Sequence, residues 1–191
     1  MKMSAIIRYI IHMLPFMAVA LPVYAIGRIL FIKAKGFRPN WLREITMLIF
    51  SVFLAGLASQ TVIPKIVLDT DGFHIFRGGI HKTNLIPFKV VFETYREVAK
   101  GNIQYFIINF LGNVILFIPL GVVIPLLWKT STCKTVLMGF CSSFFIEFCQ
   151  LFLARGTDVD DLILNTSGVL LGALFYLLLQ KYCNCFTEKF R

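Results

Sequence analysis

The chain holds a set of polar side chains at helical spacing inside stretches that are otherwise hydrocarbon. In FIEFCQLFLARGTDVDDLILN, residues 145–165, the polar members are Glu147, Gln150, Arg155, Thr157, Asp158, Asp160, Asp161 and Asn165. Residues three and four apart share one face of a helix. Ser143, Glu147, Gln150 and Ala154 follow that spacing, and so do Asp158, Asp161, Asn165, Gly168 and Gly172. Asn109 and Asn113 stand one turn apart in an earlier apolar run. Three kinds of work suit such a set. Glu147 can act as a general acid or base, while Asp158 and Asp161 hold Mg²⁺ near a lipid phosphate and Arg155 takes the phosphate itself. The same groups can bind an amphiphile without catalysis. They can also simply fasten the helices, at about 0.6 kcal/mol per interaction. No histidine or cysteine nucleophile belongs to the set, and no recognised catalytic motif accompanies it.

The elements that must carry these residues are membrane helices. Of 191 residues, 58% are hydrophobic, 15% are charged and 20 are phenylalanine, with a mean hydropathy of +0.78. Soluble domains are about 45–50% apolar. A span needs about 20 apolar residues, and 9–30, 45–63, 106–127, 136–154 and 162–179 qualify. The expected fold is all-α, a polytopic bundle of about five transmembrane helices. Pro15 and Pro22 predict a kink in the first. Its VYA at 23–25 is similar to a signal-peptidase site, but four spans follow and the flanking charge is heavier downstream, so the span is expected to stay uncleaved. The net charge of +9 has no folded basic domain to concentrate it, which argues against nucleic acid. Of the five cysteines, Cys141 and Cys149 read as small hydrophobes. Cys183 and Cys185 lack the further ligands of a zinc site. No cofactor is implied.

Residues 1–44 are expected to form an N-terminal transmembrane helix and a basic cytoplasmic loop, 45–180 a membrane domain, and 181–191 a short cytoplasmic tail. Ten Lys and Arg residues fall in 28–44, 128–135 and 180–191, and the remaining nine are spread over 1–8, 64–105 and 155–161, about one and a half times that length. Positive charge favours the cytoplasm. The N-terminus is therefore expected outside and the C-terminus inside, although Lys2 and Arg8 pull the other way. The one large loop, 64–105, starts with turn signals at Asp71-Gly72 and Gly78-Gly79, which suit a hairpin. Its second half predicts an amphipathic helix, with Phe88, Val91, Phe92, Tyr95 and Val98 or Ala99 on one face. That helix either lies in the membrane interface or packs across the tops of the spans. At the 155–161 connection Gly156 is expected to end one helix, and Thr157 to cap the next with Asp160 as its capping-box partner. Glu147 would then lie about 10 Å beneath its helix end, with Asn109 and Asn113 as its hydrogen-bonding partners.

Three blocks, NLIPF (84–88), NFLGNVILFIPLGVVIPLL (109–127) and IEFCQLFLARGTDVDDLILNTSGVLLGALF (146–175), resemble the VanZ-like family, named for a teicoplanin-resistance protein. The resemblance implies that Asn84, Pro87, Asn113, Pro119, Gly121, Glu147, Gln150, Arg155, Asp158, Asp161, Asn165 and Gly168 are signature positions. The first span lies outside the family's usual core, and Ala154 stands where glycine is common. The family implies a multi-pass protein of the bacterial cytoplasmic membrane tied to low-level resistance to lipophilic glycopeptides. Some relatives are labelled phosphotransbutyrylases, but no nucleotide or acyl-phosphate loop is present here. The reading this favours is non-catalytic. Asn109, Asn113, Glu147, Gln150, Arg155, Asp158, Asp161 and Asn165 would line a cleft for membrane lipid or a lipid-linked wall precursor, with a lipoglycopeptide as a further partner. The alternative is an intramembrane enzyme that modifies a lipid-linked headgroup through Glu147 and Asp158/Asp161. Asn84, Pro87, Pro119, Gly121, Gly168 and Gly172 read as structural.

Overall fold

Five helices carry the length and hydropathy needed to cross a membrane, in a computed structural model that describes residues 5–36, 38–69, 72–76, 83–153 and 156–190. They are α1 (Ala5–Lys35), α2 (Trp41–Thr61), a composite third span, α6 (Thr132–Gln150) and α7 (Val159–Tyr182). The third span runs as α4 (Ile103–Tyr105), a π-helical stretch (Phe106–Leu111) and α5 (Gly112–Trp128). The expected all-α bundle is what forms. α1 continues through Pro15 and Pro22 as one helix. It lies against α2 and is braced to it by the Arg28 guanidinium, which gives two hydrogen bonds to Glu44 at 2.6 and 2.9 Å.

The helix starts follow ordinary capping chemistry. Asn40 Oδ1 accepts from the Leu42 and Arg43 amides at the head of α2, and Ser131 caps α6. Two sequence-based expectations fail at the connection between α6 and α7. α6 ends at Gln150 and not near residue 154, because a turn over 151–153 follows while the side chains are still apolar. The N-cap of α7 is Asp158 and not Thr157. Glu147 therefore sits in the last turn of α6, shallower than its apolar surroundings in the sequence suggest.

The core is the seam between α5 and α7, and glycine sets its closeness. Without hydrophobic drive inside lipid, helices associate by close van der Waals contact, which small residues permit. A Cβ on Gly172 would overlap the Ile118 carbonyl oxygen, and one on Gly168 that of Val114. A Cβ on Gly121 would come within 2.7 Å of the Ala173 nitrogen. α6 joins over the same region, where Gly139 admits the Val169 side chain. Around this seam Phe50, Leu57, Phe117, Leu120, Ile124, Ile146 and Val169 form the buried apolar cluster.

At the opposite end from the large loop, the C-terminal segment folds back as α8 (Asn184–Thr187) and a 3-10 turn (Glu188–Phe190). Phe190 is buried with Leu126 and Tyr176, and Asn40 donates to the Lys189 carbonyl at 2.8 Å. What reads as a tail is packed into the base of the bundle.

The large loop opens with an antiparallel hairpin of β1 (Lys65–Asp69) and β2 (Gly72–Phe76), as expected; Asp71 and the Gly78-Gly79 signal lie outside the described residues. β3 (Thr83–Asn84) then pairs in parallel with β4 (Thr157–Asp158), bringing the loop onto the head of α7. The amphipathic helix α3 (Lys89–Ala99) follows. It docks through Val90 and its polar side, against the π-helical stretch. Its apolar face turns outward, with Phe92 70% and Tyr95 77% exposed. The helix therefore packs across the bundle, as one of the two readings has it, and leaves its apolar face uncovered by the described residues. Just past its end, Lys100 and then Asn102 hydrogen-bond to Glu97 and hold its carboxyl below the usual range.

Candidate functional site

The site begins where three helix ends and the loop meet. Asp158, capping α7, receives the Asp160 amide on Oδ1 at 2.9 Å. The same oxygen accepts from the Asn84 side chain at 2.9 Å. The Asp158 amide in turn donates to Glu147 Oε2 at 2.9 Å, and the Thr157 hydroxyl reaches the Glu147 carbonyl at 3.4 Å. Glu147 is thus tied to α7 by main chain, while Asp158 is tied to the loop by a side chain. The Asn113 amide nitrogen donates to Asp161 Oδ1, bringing in the third span.

Four acids converge here, Glu147, Asp158, Asp160 and Asp161. Among the described residues none of them is paired with a cation. Asp158 and Asp160 have structural duties. Asp160 is almost fully buried and holds the loop: its Oδ1 accepts the Phe88 amide at 2.5 Å and its Oδ2 the Val90 amide at 2.7 Å. These donors are the amides of the α3 N-cap residue and of the helix's second residue, so the carboxylate caps that helix from another element. Glu147 and Asp161 each have one oxygen engaged by another element, and no hydrogen bond to a described residue is made by Glu147 Oε1, Asp161 Oδ2 or Asp158 Oδ2. These oxygens are acceptors the site can offer. Among the described residues no three His, Cys, Asp or Glu side chains stand where they could share a metal ion.

The remaining candidates separate. Asn109 lies inside the π-helical stretch and donates to the Tyr105 carbonyl of its own helix at 3.1 Å. Asn113 makes the same kind of bond to the Asn109 carbonyl at 3.3 Å, and of the two it is Asn113 that also reaches Asp161. Neither asparagine bonds to Glu147. Gln150 turns toward α2 and donates to the Thr61 carbonyl at 3.4 Å. Asn165 lies deeper, donating to the Ser143 hydroxyl at 2.9 Å, while its Oδ1 is buried without a partner. Ala154 and Arg155 lie outside the described residues. Pro87 stands in the turn before Phe88, whose φ of 63° starts α3 from the left-handed region. Pro119, Gly121, Gly168 and Gly172 belong to α5 and α7, and the three glycines form the seam beneath the site.

Two participants were not picked out in the sequence. Asp160 reads there as a local capping residue, and its true partners are 70 and 72 positions away. Tyr105, which donates to Glu93 at 2.7 Å, ties α3 to the third span. Only the amphipathic pattern that sets Glu93 on the polar side of α3 hints at that bond.

The sequence model of the VanZ/LLP1 family matches residues 45–180, the greater part of the chain. The chain belongs to the VanZ/LLP1 family. That span contains every described residue of the acidic cluster and leaves α1 outside. Membership relates this multi-pass membrane protein to teicoplanin resistance, the property for which VanZ is named. Comparison with curated proteins and with solved structures found no match.

Proposed function

We propose that this VanZ/LLP1 protein resides in the bacterial cytoplasmic membrane and lowers susceptibility to teicoplanin by holding a lipid or a lipid-linked wall precursor. In the proposed orientation the loop end faces outward, so the ligand's headgroup lies at the outer surface and access of a lipid-tailed glycopeptide to its target falls. One observation carries this reading. Glu147 and Asp161, brought together from two helices, each keep an oxygen without a hydrogen bond to a described residue. They sit in an acidic cluster that favours ligands presenting N–H or O–H donors. α3 supports it by setting an apolar face at the same end of the bundle. The test is teicoplanin susceptibility in a host expressing the protein or the Asp161→Ala variant at equal membrane levels. Protection by the variant equal to that of the native protein would overturn the reading.

The same two open carboxylate oxygens favour a second reading, an intramembrane enzyme in which Glu147 moves a proton on a lipid-linked headgroup. Only that reading requires Glu147 to ionise, which makes Glu147→Gln the discriminating variant.

A further inference from the structure

Below the acidic cluster, on the side toward the middle of the membrane, α2 leans on α5 while α6 leans on α7 and α5. Between α2 and α6 runs a groove of about 410 Å³. Leu54, Ala58 and Thr61 form one wall, Cys141 and Phe145 the other, and Phe117 part of the floor. Leu54, Cys141 and Phe145 are exposed, so the groove opens sideways to lipid. Its two hydroxyl groups make no demand on an occupant. Thr61 donates to the Leu57 carbonyl at 2.9 Å, and Ser142 to the Met138 carbonyl at 2.8 Å. The wall is therefore effectively hydrocarbon over about 10 Å, the rise from Leu54 to Thr61. At the loop side Gln150 bridges to the Thr61 carbonyl, and Glu147 directly follows the groove-lining Ile146. The apolar channel thus ends beside the polar site.

We propose that this groove takes one hydrocarbon chain of the same amphiphile whose headgroup meets Glu147 and Asp161. The inference rests on the ligand-holding reading above and names its ligand class: a lipid whose headgroup carries N–H or O–H donors. Selectivity resides at the polar end. Lipid tails are as apolar as the groove, so burial alone gives no chain a preference for it. The open acceptor oxygens of Glu147 and Asp161 favour a headgroup with donor hydrogens, such as a primary ammonium, over one with none.

The experiment uses the full chain in lipid vesicles doped with phosphatidylethanolamine bearing a diazirine midway along one acyl chain. A matched phosphatidylcholine probe, whose nitrogen carries no hydrogen, runs in parallel, and adducts are mapped by mass spectrometry. The exposed face of α7, at Leu170, Leu171, Leu174 and Leu178, reports ordinary surrounding lipid. Adducts at 54–62 and 141–146 should exceed those on α7 several-fold with the ethanolamine probe. They should fall to the α7 level in Ala58→Trp and in Cys141→Phe, which fill the groove from opposite walls. Equal labelling of groove and α7 face, or groove labelling that both filling variants leave intact, overturns the groove. If the groove is labelled equally by both probes and blocked by the filling variants, the chain site stands and the headgroup reading falls. If labelling is spread evenly while a retained ethanolamine preference disappears in Glu147→Ala, the headgroup reading stands and the groove falls. Detergent melting of the two filling variants, expected within a few degrees of the native protein, shows that lost labelling reflects occupancy.

Discussion

Asp160 and Phe88 are 72 residues apart and joined at 2.5 Å, the carboxylate of one taking the main-chain amide of the other. With the neighbouring bond to Val90, this is how the large loop is fastened to the last transmembrane helix. Hydrogen bonds to a charged group contribute about 1.5–3 kcal/mol each, and a donor left buried without a partner costs about 1–3 kcal/mol. Asp160→Ala should therefore release residues 84–99 while the spans stay folded. Hydrogen exchange of the Phe88 and Val90 amides should accelerate by at least about tenfold, and unchanged protection would refute the fastening role. Asp160→Asn keeps one acceptor and should fall between the two.

Gly172 on α7 faces the Ile118 carbonyl of α5 with no room for a side chain. Overpacking commonly costs about 1–3 kcal/mol even where neighbours can adjust, and here the obstacle is backbone. Gly172→Leu should lower the melting temperature in detergent well below that of Leu171→Ile, whose side chain points away from the protein. Equal melting of the two variants would mean that the α5–α7 seam is not where stability resides.

At Glu147 the informative comparison is glutamine against alanine. Glutamine keeps an oxygen for the Asp158 amide, whereas alanine strands that donor. If the site binds without chemistry, Glu147→Gln should retain most of the teicoplanin protection and Glu147→Ala should lose it, at equal membrane levels. Glutamine as inactive as alanine, with both stably inserted, would transfer the argument to the enzyme.

Orientation has a direct test. Arg96 is exposed on α3 at the loop end, and native Cys185 is exposed at the opposite end. Cells carrying Arg96→Cys in a cysteine-free chain, or Cys185 as its sole cysteine, are treated intact with a membrane-impermeant thiol reagent. Arg96→Cys should label and Cys185 should not. The reverse pattern would place the acidic cluster at the inner surface and remove the basis for shielding an external target.

Much of this architecture can be read from the sequence because hydropathy measures what a bilayer demands, and the five spans are that demand repeated. The failures have physical causes too. Leu151, Phe152 and Leu153 are as apolar as the helix before them, so composition gives no sign that α6 has ended. Asp160 has sound capping-box spacing, and nothing local shows that its acceptors serve amides on another element. Asn109 and Asn113 have matching spacing and matching bonds to their own helix, and nothing local shows that Asn113 is the one that meets an acid on another helix. Convergence of Asn113, Glu147, Asp158 and Asp161 on one membrane end was legible, because helix direction alternates with each crossing. Their pairing was not, since it depends on rotations that hydropathy does not encode.

The bond between Asn113 and Asp161 also has a clock attached. The two residues are separated by 48 positions, and at about 5–20 residues per second the ribosome needs roughly 2–10 s to cover that distance. Through that interval the third span has neither the carboxylate that will take its amide nor the glycine-notched helix that will fill its side. Nascent chains must wait in the membrane with that seam open. Whatever shelters it there governs how many of them assemble correctly.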